Sequence, residues 1–265
     1  MEIFSKRWCP FAANPCEKYR QYGFGYCSVP YATADDGGTP RIYAVCDHRL
    51  DGEPLAHVVR DHFDVRPTRI IPEIVLTKPR TSFDYVVISQ DDPEDVIAIE
   101  TQAIVIRGGG VGPAWRAWRD GQVDKWREYF TEEAKSKGRK DTVSYGVNMA
   151  NIYKRLGLQV AVKGSYLKGI GVPFYVLMQD LPFQYLRRRI DFETVVGDEW
   201  DITFVTFDYE IGGDEARDML QFEHHQTVRT TLDRYVSALS SDLGMAKAAR
   251  ADFLERVQRK AGLRK

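Results

Sequence analysis

The sequence predicts a mixed α/β fold in which a central mixed β-sheet is flanked by helices and follows a small cysteine-rich module. Three observations support this prediction. Apolar strand-like segments alternate with helix-like segments, all four cysteines lie in the first fifth of the chain, and the composition is that of a globular protein. Hydrophobic residues make up 43% and charged residues 28% of the 265 positions, which is enough apolar material for a sizeable core. We expect a metal-binding module over 1–65 and a core domain over 66–265.

The individual elements follow from local patterns along the chain. Apolar, β-branched and aromatic residues predict strands at 72–76, 83–88, 96–107, 173–178 and 202–208. Helical spacing and end signals predict helices at 56–63, within 115–140, and at 148–167, 182–190, 227–239 and 245–260. Polar turn segments separate the first three strands, at 78–82 and 90–95. These strands are therefore expected to form a hairpin or meander.

Charge and hydropathy exclude some classes of protein and leave others open. The chain carries 37 basic and 38 acidic side chains. Its total charge is therefore no argument for or against a nucleic-acid partner. Local clusters of charge must decide that question. No apolar run approaches the roughly 20 residues of a membrane span, and the first residues lack the apolar core of a secretory signal. We therefore expect no membrane partner and a cytoplasmic location.

The four cysteines predict a metal site in the first 65 residues. In a reducing compartment, clustered cysteines are more typical of metal ligands than of disulfides, and soft thiolates select iron or zinc. The spacing lacks the paired C-x-x-C knuckles of common zinc ribbons, so four unconnected buried thiols fit the sequence as well. Three nearby histidines, His48, His57 and His62, could replace a thiolate. The candidate ligands are Cys9, Cys16, Cys27 and Cys46.

Residues 96–110, VIAIETQAIVIRGGG, carry polar side chains inside an otherwise apolar strand. Glu100 and Gln102 point to the same face because side chains alternate along a strand. If the preceding strand pairs with this one, Asp84 converges on Glu100, and two close carboxylates repel unless a cation lies between them. Mg2+ binds one or two carboxylates, a carbonyl such as that of Thr101, and water. The alternative is that Asp84 caps a turn and Glu100 pairs with an arginine such as Arg107.

This arrangement resembles the PD-(D/E)XK nuclease superfamily, with glutamine at the position of the usual lysine. More specifically, the chain resembles the NotI family of type II restriction endonucleases over roughly residues 9–180. The motifs that carry the resemblance are Cys9-Pro10-Phe11, Cys16, Cys27-Ser28-Val29, Cys46, Phe83-Asp84-Tyr85-Val86 and Ile99-Glu100-Thr101-Gln102. The stretch 146–180, an expected helix followed by GSYLKG and the strand segment FYVLMQD, also resembles the core of the family. The resemblance implies a PD-(D/E)XK core and a bacterial enzyme of a restriction-modification system. Such an enzyme hydrolyses phosphodiester bonds at a palindromic site in double-stranded DNA, usually as a homodimer.

The resemblance also implies roles for individual residues. Asp84, Glu100 and Gln102 would be catalytic, with Mg2+ held by Asp84, Glu100 and Thr101. The four cysteines would hold a structural iron or zinc ion. Glu73 could supply one more acidic ligand, or it could be a solvated charge beside Pro72. The chain is shorter than the namesake of the family, so the family's DNA target sequence is not carried over.

Basic residues interleaved with tryptophans predict a DNA-binding segment after the glycine run. Guanidinium and ammonium groups bind phosphates and base edges, so these residues are candidates for DNA contacts. The alternative is that the tryptophans belong to the core and the basic residues form its solvated rim. His224 and His225 are expected on the surface, at a loop or helix end. The DNA-binding candidates are Arg116, Arg119, Lys125, Arg127, Lys137 and Arg139.

Two other functions fit the same residues. A nuclease of the same fold without sequence specificity would act in repair and would cut DNA at many places. A metal-stabilised DNA-binding protein would use the same basic residues, and Glu100 and Gln102 would then only pair within the sheet. Dependence of function on a hard cation separates the enzymes from the binding protein, and the pattern of DNA fragments separates the two enzymes.

Overall fold

A computed structural model of the protein describes residues 2–4, 7–31, 41–78, 80–104, 111–122, 125–138, 152–209, 220–245 and 250–262. Two β-sheets lie within these ranges, one of three strands and one of six. The larger sheet is mixed and has helices packed on both faces. The α/β architecture expected from the sequence, a central mixed sheet flanked by helices, is therefore confirmed.

The N-terminal module contains the smaller sheet. Its antiparallel strands are β1 (Glu2–Phe4), β2 (Gly25–Tyr31) and β3 (Arg41–Ala44), with helix α1 (Glu17–Tyr22) between the first two. A 3-10 turn (Asp47–Leu50) and helix α2 (Glu53–Phe63) complete the module. The expected helix at 56–63 is present and begins three residues earlier. The strands were not predicted, because short strands rich in Gly, Pro and Tyr show no clear alternation.

The central sheet has the strand order β4-β5-β6-β7-β8-β9. The middle strands β6, β7 and β8 are parallel, and the outer pairs are antiparallel. The hairpin of β4 and β5 is longer than expected, since its strands include most of the segment that was predicted as a turn. The strands are β4 (Thr68–Thr77), β5 (Arg80–Ser89), β6 (Val96–Gln102), β7 (Phe174–Gln179), β8 (Ile202–Tyr209) and β9 (Phe222–Thr230).

Helices connect and flank these strands. The connection from β6 to β7 contains α3 (Gly112–Arg119), α4 (Trp126–Ser136), a π-helical turn (Ile152–Leu156) and α5 (Gly157–Gly169). Helix α6 follows β7, and two helices follow β9. These are α6 (Asp180–Arg189), α7 (Leu232–Met245) and α8 (Arg250–Lys260). None of the helices described is long and apolar enough to cross a lipid bilayer.

Strand β9 corrects one prediction. The sequence predicted a helix from residue 227 and placed His224 and His225 at a loop or helix end, but both histidines lie in β9, which pairs with β8. β9 is the last strand of the sheet, and most of its side chains are exposed or half-buried. A strand that buries so few side chains lacks the apolar run that signals a central strand.

The two faces of the central sheet bury separate apolar clusters. Phe174, Val176 and Met178 of β7 belong to the cluster that also contains residues of α5, α6 and α7. Tyr175 and Leu177 belong to the cluster that contains residues of α2. β7 is buried along its whole length, as expected for a parallel strand between two others. The N-terminal module therefore packs directly on the central sheet.

The tryptophans of α3 contribute to packing. Trp115 stacks on Phe24 of the N-terminal module with ring centroids 4.6 Å apart and planes nearly parallel. Trp118 stacks on Trp115 at 5.0 Å and remains 37% exposed. Stacked aromatic pairs of this kind add to the stability gained by burial. The structure therefore favours the packing interpretation for Trp115 over a direct role in DNA binding.

Candidate active site

The candidate site lies where β5 separates from β6. The backbone ladder between these strands ends at the pair Tyr85 and Ile99, so the next pair in register is Asp84 opposite Glu100. Beyond the ladder, the Asp84 side chain replaces the backbone acceptor. Its Oδ2 accepts hydrogen bonds from the Thr101 backbone N–H at 2.8 Å and from Thr101 Oγ1 at 3.0 Å. The structure thus brings Asp84 against the segment that carries Glu100.

The Thr101 backbone carbonyl faces the same edge of β6. In a strand, the N–H and C=O of one residue point toward the same neighbour, and the Thr101 N–H points toward Asp84. β5 offers no backbone partner at this position, because its ladder with β6 has ended. Thr101 lines a cleft at this point. A carbonyl oxygen and a carboxylate therefore lie side by side at the end of the ladder.

Glu100 is buried and forms an ion pair with Lys163 of α5. Each of the two side chains is 8% exposed, and Lys163 Nζ donates a hydrogen bond to Glu100 Oε2. Burial, reinforced by the negative charge of Asp84, raises the pKa of the Glu100 carboxyl to about 7, and the Lys163 ammonium limits this rise. Glu100 therefore lies between one negative and one positive neighbour.

Lys163 was not among the residues predicted for the site. Helix α5 packs closely on the sheet, since a Cβ at Gly164 would lie only 3.4 Å from Ile202 Cδ1 of β8. This close approach brings Lys163 against β6. The sequence did contain a signal, because Val160, Lys163, Gly164 and Leu167 follow the spacing of one helical face, and all four are buried. A lysine in such a stripe requires a buried partner.

Gln102 and Asp47 lie next to this centre. The Gln102 side-chain amide donates a hydrogen bond to the Ala103 carbonyl, and the Ala103 N–H donates one to Asp47 Oδ1 at 3.0 Å. Asp47 belongs to the 3-10 turn of the N-terminal module. Burial raises the pKa of its carboxyl, and the charge of Asp84 adds to this rise. The N-terminal module thus contributes a carboxylate beside the end of β6, which the sequence did not predict.

A cleft of about 740 Å³ contains all these groups. Glu73 of β4 also lines it, and the β4–β5 register places Glu73 opposite Asp84. Glu73 has φ +50°, an unfavourable value for a non-glycine residue, and such strain is often found at functional sites. Further polar residues at the cleft wall are Lys18, His48, Asp51, Arg155 and Gln159.

The donor set at the ladder end fits a hard cation. Mg2+ prefers oxygen ligands and is commonly bound by only one or two protein carboxylates, with water at other positions. Asp84, Glu100 and the Thr101 carbonyl could supply that many oxygens. Across the residues described, no three Cys, His, Asp or Glu side chains form a group that could hold a metal ion. Water and substrate would therefore have to complete any coordination shell at this site.

The four predicted cysteine ligands are all buried in the N-terminal module. The thiol sulfurs of Cys9 and Cys16 accept hydrogen bonds from backbone N–H groups three residues ahead, at 3.4 Å in both cases. Burial raises the pKa of the Cys46 thiol to about 12, and the Cys9 thiol is close enough to add to that rise. Backbone donors directed at sulfur stabilise thiolate ligands. The donor type fits a soft metal, although the thiols are not grouped as ligands within the described chain.

Several of the predicted DNA contacts are engaged within α3 and α4. Arg116 Nη2 lies 2.7 Å from Glu133 Oε2, and Lys137 pairs with the other oxygen of Glu133. Arg119 pairs with Asp120 at 2.9 Å. The Arg116–Glu133 pair connects α3 to α4, whereas the other two pairs lie at the end of a single helix. Arg116, Arg119 and Lys137 were predicted to contact phosphates and instead form ion pairs within the protein. The two arginines remain partly exposed.

Of the other predicted DNA contacts, only the Lys125 side chain lies within the described residues. Lys125 is exposed at the residue before α4. The Arg127 side chain and Arg139 lie outside the described residues. Their assignment to DNA contacts stays a prediction.

Neither a comparison of the sequence with protein-family models nor one with curated proteins finds a match.

Proposed function

We propose that this protein is a Mg2+-dependent type II restriction endonuclease, which hydrolyses phosphodiester bonds at a specific palindromic site in double-stranded DNA. Its core would be of the PD-(D/E)XK kind. The observation that supports the proposal most directly is the position of Asp84 opposite Glu100, beside Thr101 and inside a cleft. A structural pair of carboxylates would have no need of a cleft open to a substrate.

The acidic groups would hold the metal ion beside the scissile phosphate. Asp84, Glu100 and the Thr101 carbonyl are the proposed ligands of Mg2+. When bound there, Mg2+ would lower the pKa of a water molecule and offset negative charge on the phosphoryl group. Glu73 lies across from Asp84 and could add a further carboxylate. Its assignment as a ligand is part of the proposal.

Gln102 and Lys163 would together replace the lysine that PD-(D/E)XK nucleases usually carry at the position of Gln102. The Gln102 amide is neutral, so it can orient a water molecule by hydrogen bonding but cannot supply a positive charge. Its amide N–H₂ is engaged with the Ala103 carbonyl, which leaves its oxygen as an acceptor for the attacking water. Lys163 supplies a buried positive charge from α5 and fixes the Glu100 carboxylate.

The N-terminal module would have a structural role. Cys9, Cys16, Cys27 and Cys46 are the proposed ligands of an iron or zinc ion, which would add to the stability of a small module. The module contacts the cleft through Asp47, so its folding and the geometry of the site are connected. Two copies of the chain related by twofold symmetry would match the symmetry of a palindromic DNA site.

Incubation of the purified chain with plasmid DNA and Mg2+ tests this proposal. Discrete fragments with identical terminal sequences are expected from the wild type, and EDTA should abolish cleavage. Glu100→Gln keeps the shape of the side chain and removes its charge, so it should lose cleavage and keep site-specific DNA binding. Glu199→Gln, an exposed glutamate outside the cleft, is the matched control.

The products separate the proposal from its alternatives. A smear of fragments would overturn site specificity and favour a repair nuclease of the same fold. Absence of cleavage, combined with sequence-specific binding that is insensitive to Mg2+, would favour a DNA-binding protein without catalysis. Full activity of Glu100→Gln would overturn the proposed active site even if the wild type cuts DNA.

A further inference from the structure

The β4–β5 hairpin extends beyond the rest of the central sheet. β5 pairs with β6 only from Tyr85 to Ile88, whereas its pairing with β4 continues to Thr77 and Arg80. The outer part of the hairpin, 74–77 paired with 80–83, is therefore a two-stranded ribbon. This ribbon begins directly beside Asp84.

The two faces of the ribbon differ in exposure. The cross-strand pairs Val75–Ser82 and Thr77–Arg80 are exposed, and they form the outer face of the ribbon. The residues between them are buried or half-buried on the other face, where Leu76 and Phe83 pack on the core. The outer face is thus held in a fixed orientation by the core face beneath it. Its residues are Val75, Thr77, Arg80 and Ser82.

The outer face continues into the candidate active site. The next pair in the β4–β5 register is Glu73 opposite Asp84, and Ser82, Glu73 and Asp84 all line the cleft. A substrate seated in the cleft would therefore extend along the ribbon. Among macromolecules, the one that matches the proposed chemistry of the cleft is duplex DNA.

The chemistry of the outer face suits the edges of DNA bases. Arg80 on this face and Lys78 in the adjoining turn are exposed, and neither has an ion-pair partner in the part of the chain described. Ser82 and Thr77 can donate and accept hydrogen bonds, and Val75 is 60% exposed. Arginine pairs with guanine, hydroxyls pair with several bases, and apolar groups contact the thymine methyl. The major groove, about 12 Å wide, admits a two-stranded ribbon.

We propose that the ribbon enters the major groove of the substrate DNA and that Arg80 contacts base edges there. This proposal rests on the proposed function, because it takes duplex DNA as the substrate. Arg80 lies four residues from Asp84 along β5, which corresponds to about 13 Å. At about 3.4 Å per base pair, the bases in contact with Arg80 lie about four base pairs from the bond that is cut.

The test compares Arg80→Ala with the wild type on a library of DNA sequences in the presence of Mg2+. Loss of a base contact should relax discrimination about 10- to 100-fold at one or two positions roughly four base pairs from the cut. Discrimination at other positions should be unchanged. Arg69→Ala is the matched control, because Arg69 is an exposed arginine on the partner strand β4, at the opposite end of the same hairpin.

Three results would overturn the proposal. Unchanged discrimination by an active Arg80→Ala variant would show that the ribbon does not contact bases and would leave the nuclease assignment intact. A uniform loss of affinity for all sequences, with a smaller salt dependence, would show a phosphate contact instead. Failure of the wild type to cut or bind any DNA would refute the proposed function, and the role of the ribbon with it.

Discussion

Lys163 of α5 and Glu100 of β6 form an ion pair that is buried on both sides, although 63 residues separate them in the chain. The negative charge of Asp84 acts to raise the pKa of the Glu100 carboxyl, and the Lys163 ammonium acts against that rise. A buried pair of this kind contributes little net stability compared with apolar residues, but breaking it is costly. The pair therefore affects both the stability of the fold and the position of Glu100, a proposed metal ligand.

Lys163→Met should destabilise the protein by about 3–5 kcal/mol, because it leaves the Glu100 carboxylate buried without a partner. The double variant Lys163→Met/Glu100→Gln should recover part of this loss. The free energy of unfolding in urea measures both effects. Lys168→Met on the same helix is the control, since Lys168 is 39% exposed and its ion pairs should contribute less than about 1 kcal/mol. Equal losses for both lysines would contradict the prediction.

Asp84→Asn should separate the metal-binding role of Asp84 from its structural one. One oxygen of Asp84 accepts both hydrogen bonds from Thr101, so an asparagine oxygen can accept the same two, and we expect a loss of stability of only about 1 kcal/mol. Loss of the charge should lower the cleavage rate at least about 100-fold, since a metal contributes several kcal/mol. The measurements are cleavage under single-turnover conditions and unfolding in urea.

Asp84→Ala provides the comparison. It removes the acceptor, so it should lose cleavage and also destabilise the protein by about 3 kcal/mol, because the Thr101 N–H and hydroxyl are left unsatisfied. If Asp84 merely caps the end of the strand pair, Asp84→Asn would retain wild-type cleavage. That result would contradict its assignment as a metal ligand.

Sequence patterns predicted the centre of the sheet better than its edges. β7 and β8 are buried on both faces, so they appear as uninterrupted apolar runs that are easily recognised. β9 is polar along its exposed side, and the segment of β5 next to Lys78 carries turn-like residues. These segments become extended only because they pair with a neighbouring strand. The pattern of residues within one segment does not reveal which strand that is.

The same limit applies to the candidate site. Alternation along β6 predicted that Glu100 and Gln102 share a face, and the hairpin predicted the approach of Asp84. The contributions of Lys163 and Asp47 come from elements that are distant in sequence and meet β6 only after packing. Spacing within a segment predicts which face of a strand or helix a residue occupies. It does not predict which residues of distant segments pack against that face.

Cysteine substitutions should show whether the four thiols share one metal ion. If they do, Cys9→Ser alone removes the ion, and Cys9→Ser/Cys27→Ser loses little further stability. Unconnected buried thiols would instead give losses that add, as expected for independent sites. The measurements are the metal content of each purified variant and its free energy of unfolding. Iron would also give the wild type a reddish colour, whereas zinc would leave it colourless.

The ion pairs of Asp95 give a pH-dependent contribution to stability. Asp95 lies in the turn between β5 and β6, 2.6 Å from Arg66 Nη1 and 3.2 Å from His62 Nε2. Partial burial acts to raise the pKa of the Asp95 carboxyl, but the hydrogen bonds from Arg66 and His62 outweigh it and hold the pKa below its ordinary value. The folded chain therefore binds fewer protons than the unfolded chain just below pH 4.

Asp95→Asn should consequently be less stable than the wild type at pH 6, and the difference should shrink as the pH falls below about 4. A depressed carboxyl pKa stabilises the folded state above the unfolded-state pKa, and that contribution is lost as the carboxylate is protonated in both states. Unfolding in urea at a series of pH values gives the difference directly. Asp91→Asn removes an exposed carboxylate from the same turn and serves as the control. A stability difference that stays constant from pH 6 to well below the ordinary carboxyl pKa would show that Asp95 acts through hydrogen-bond geometry and not through its charge.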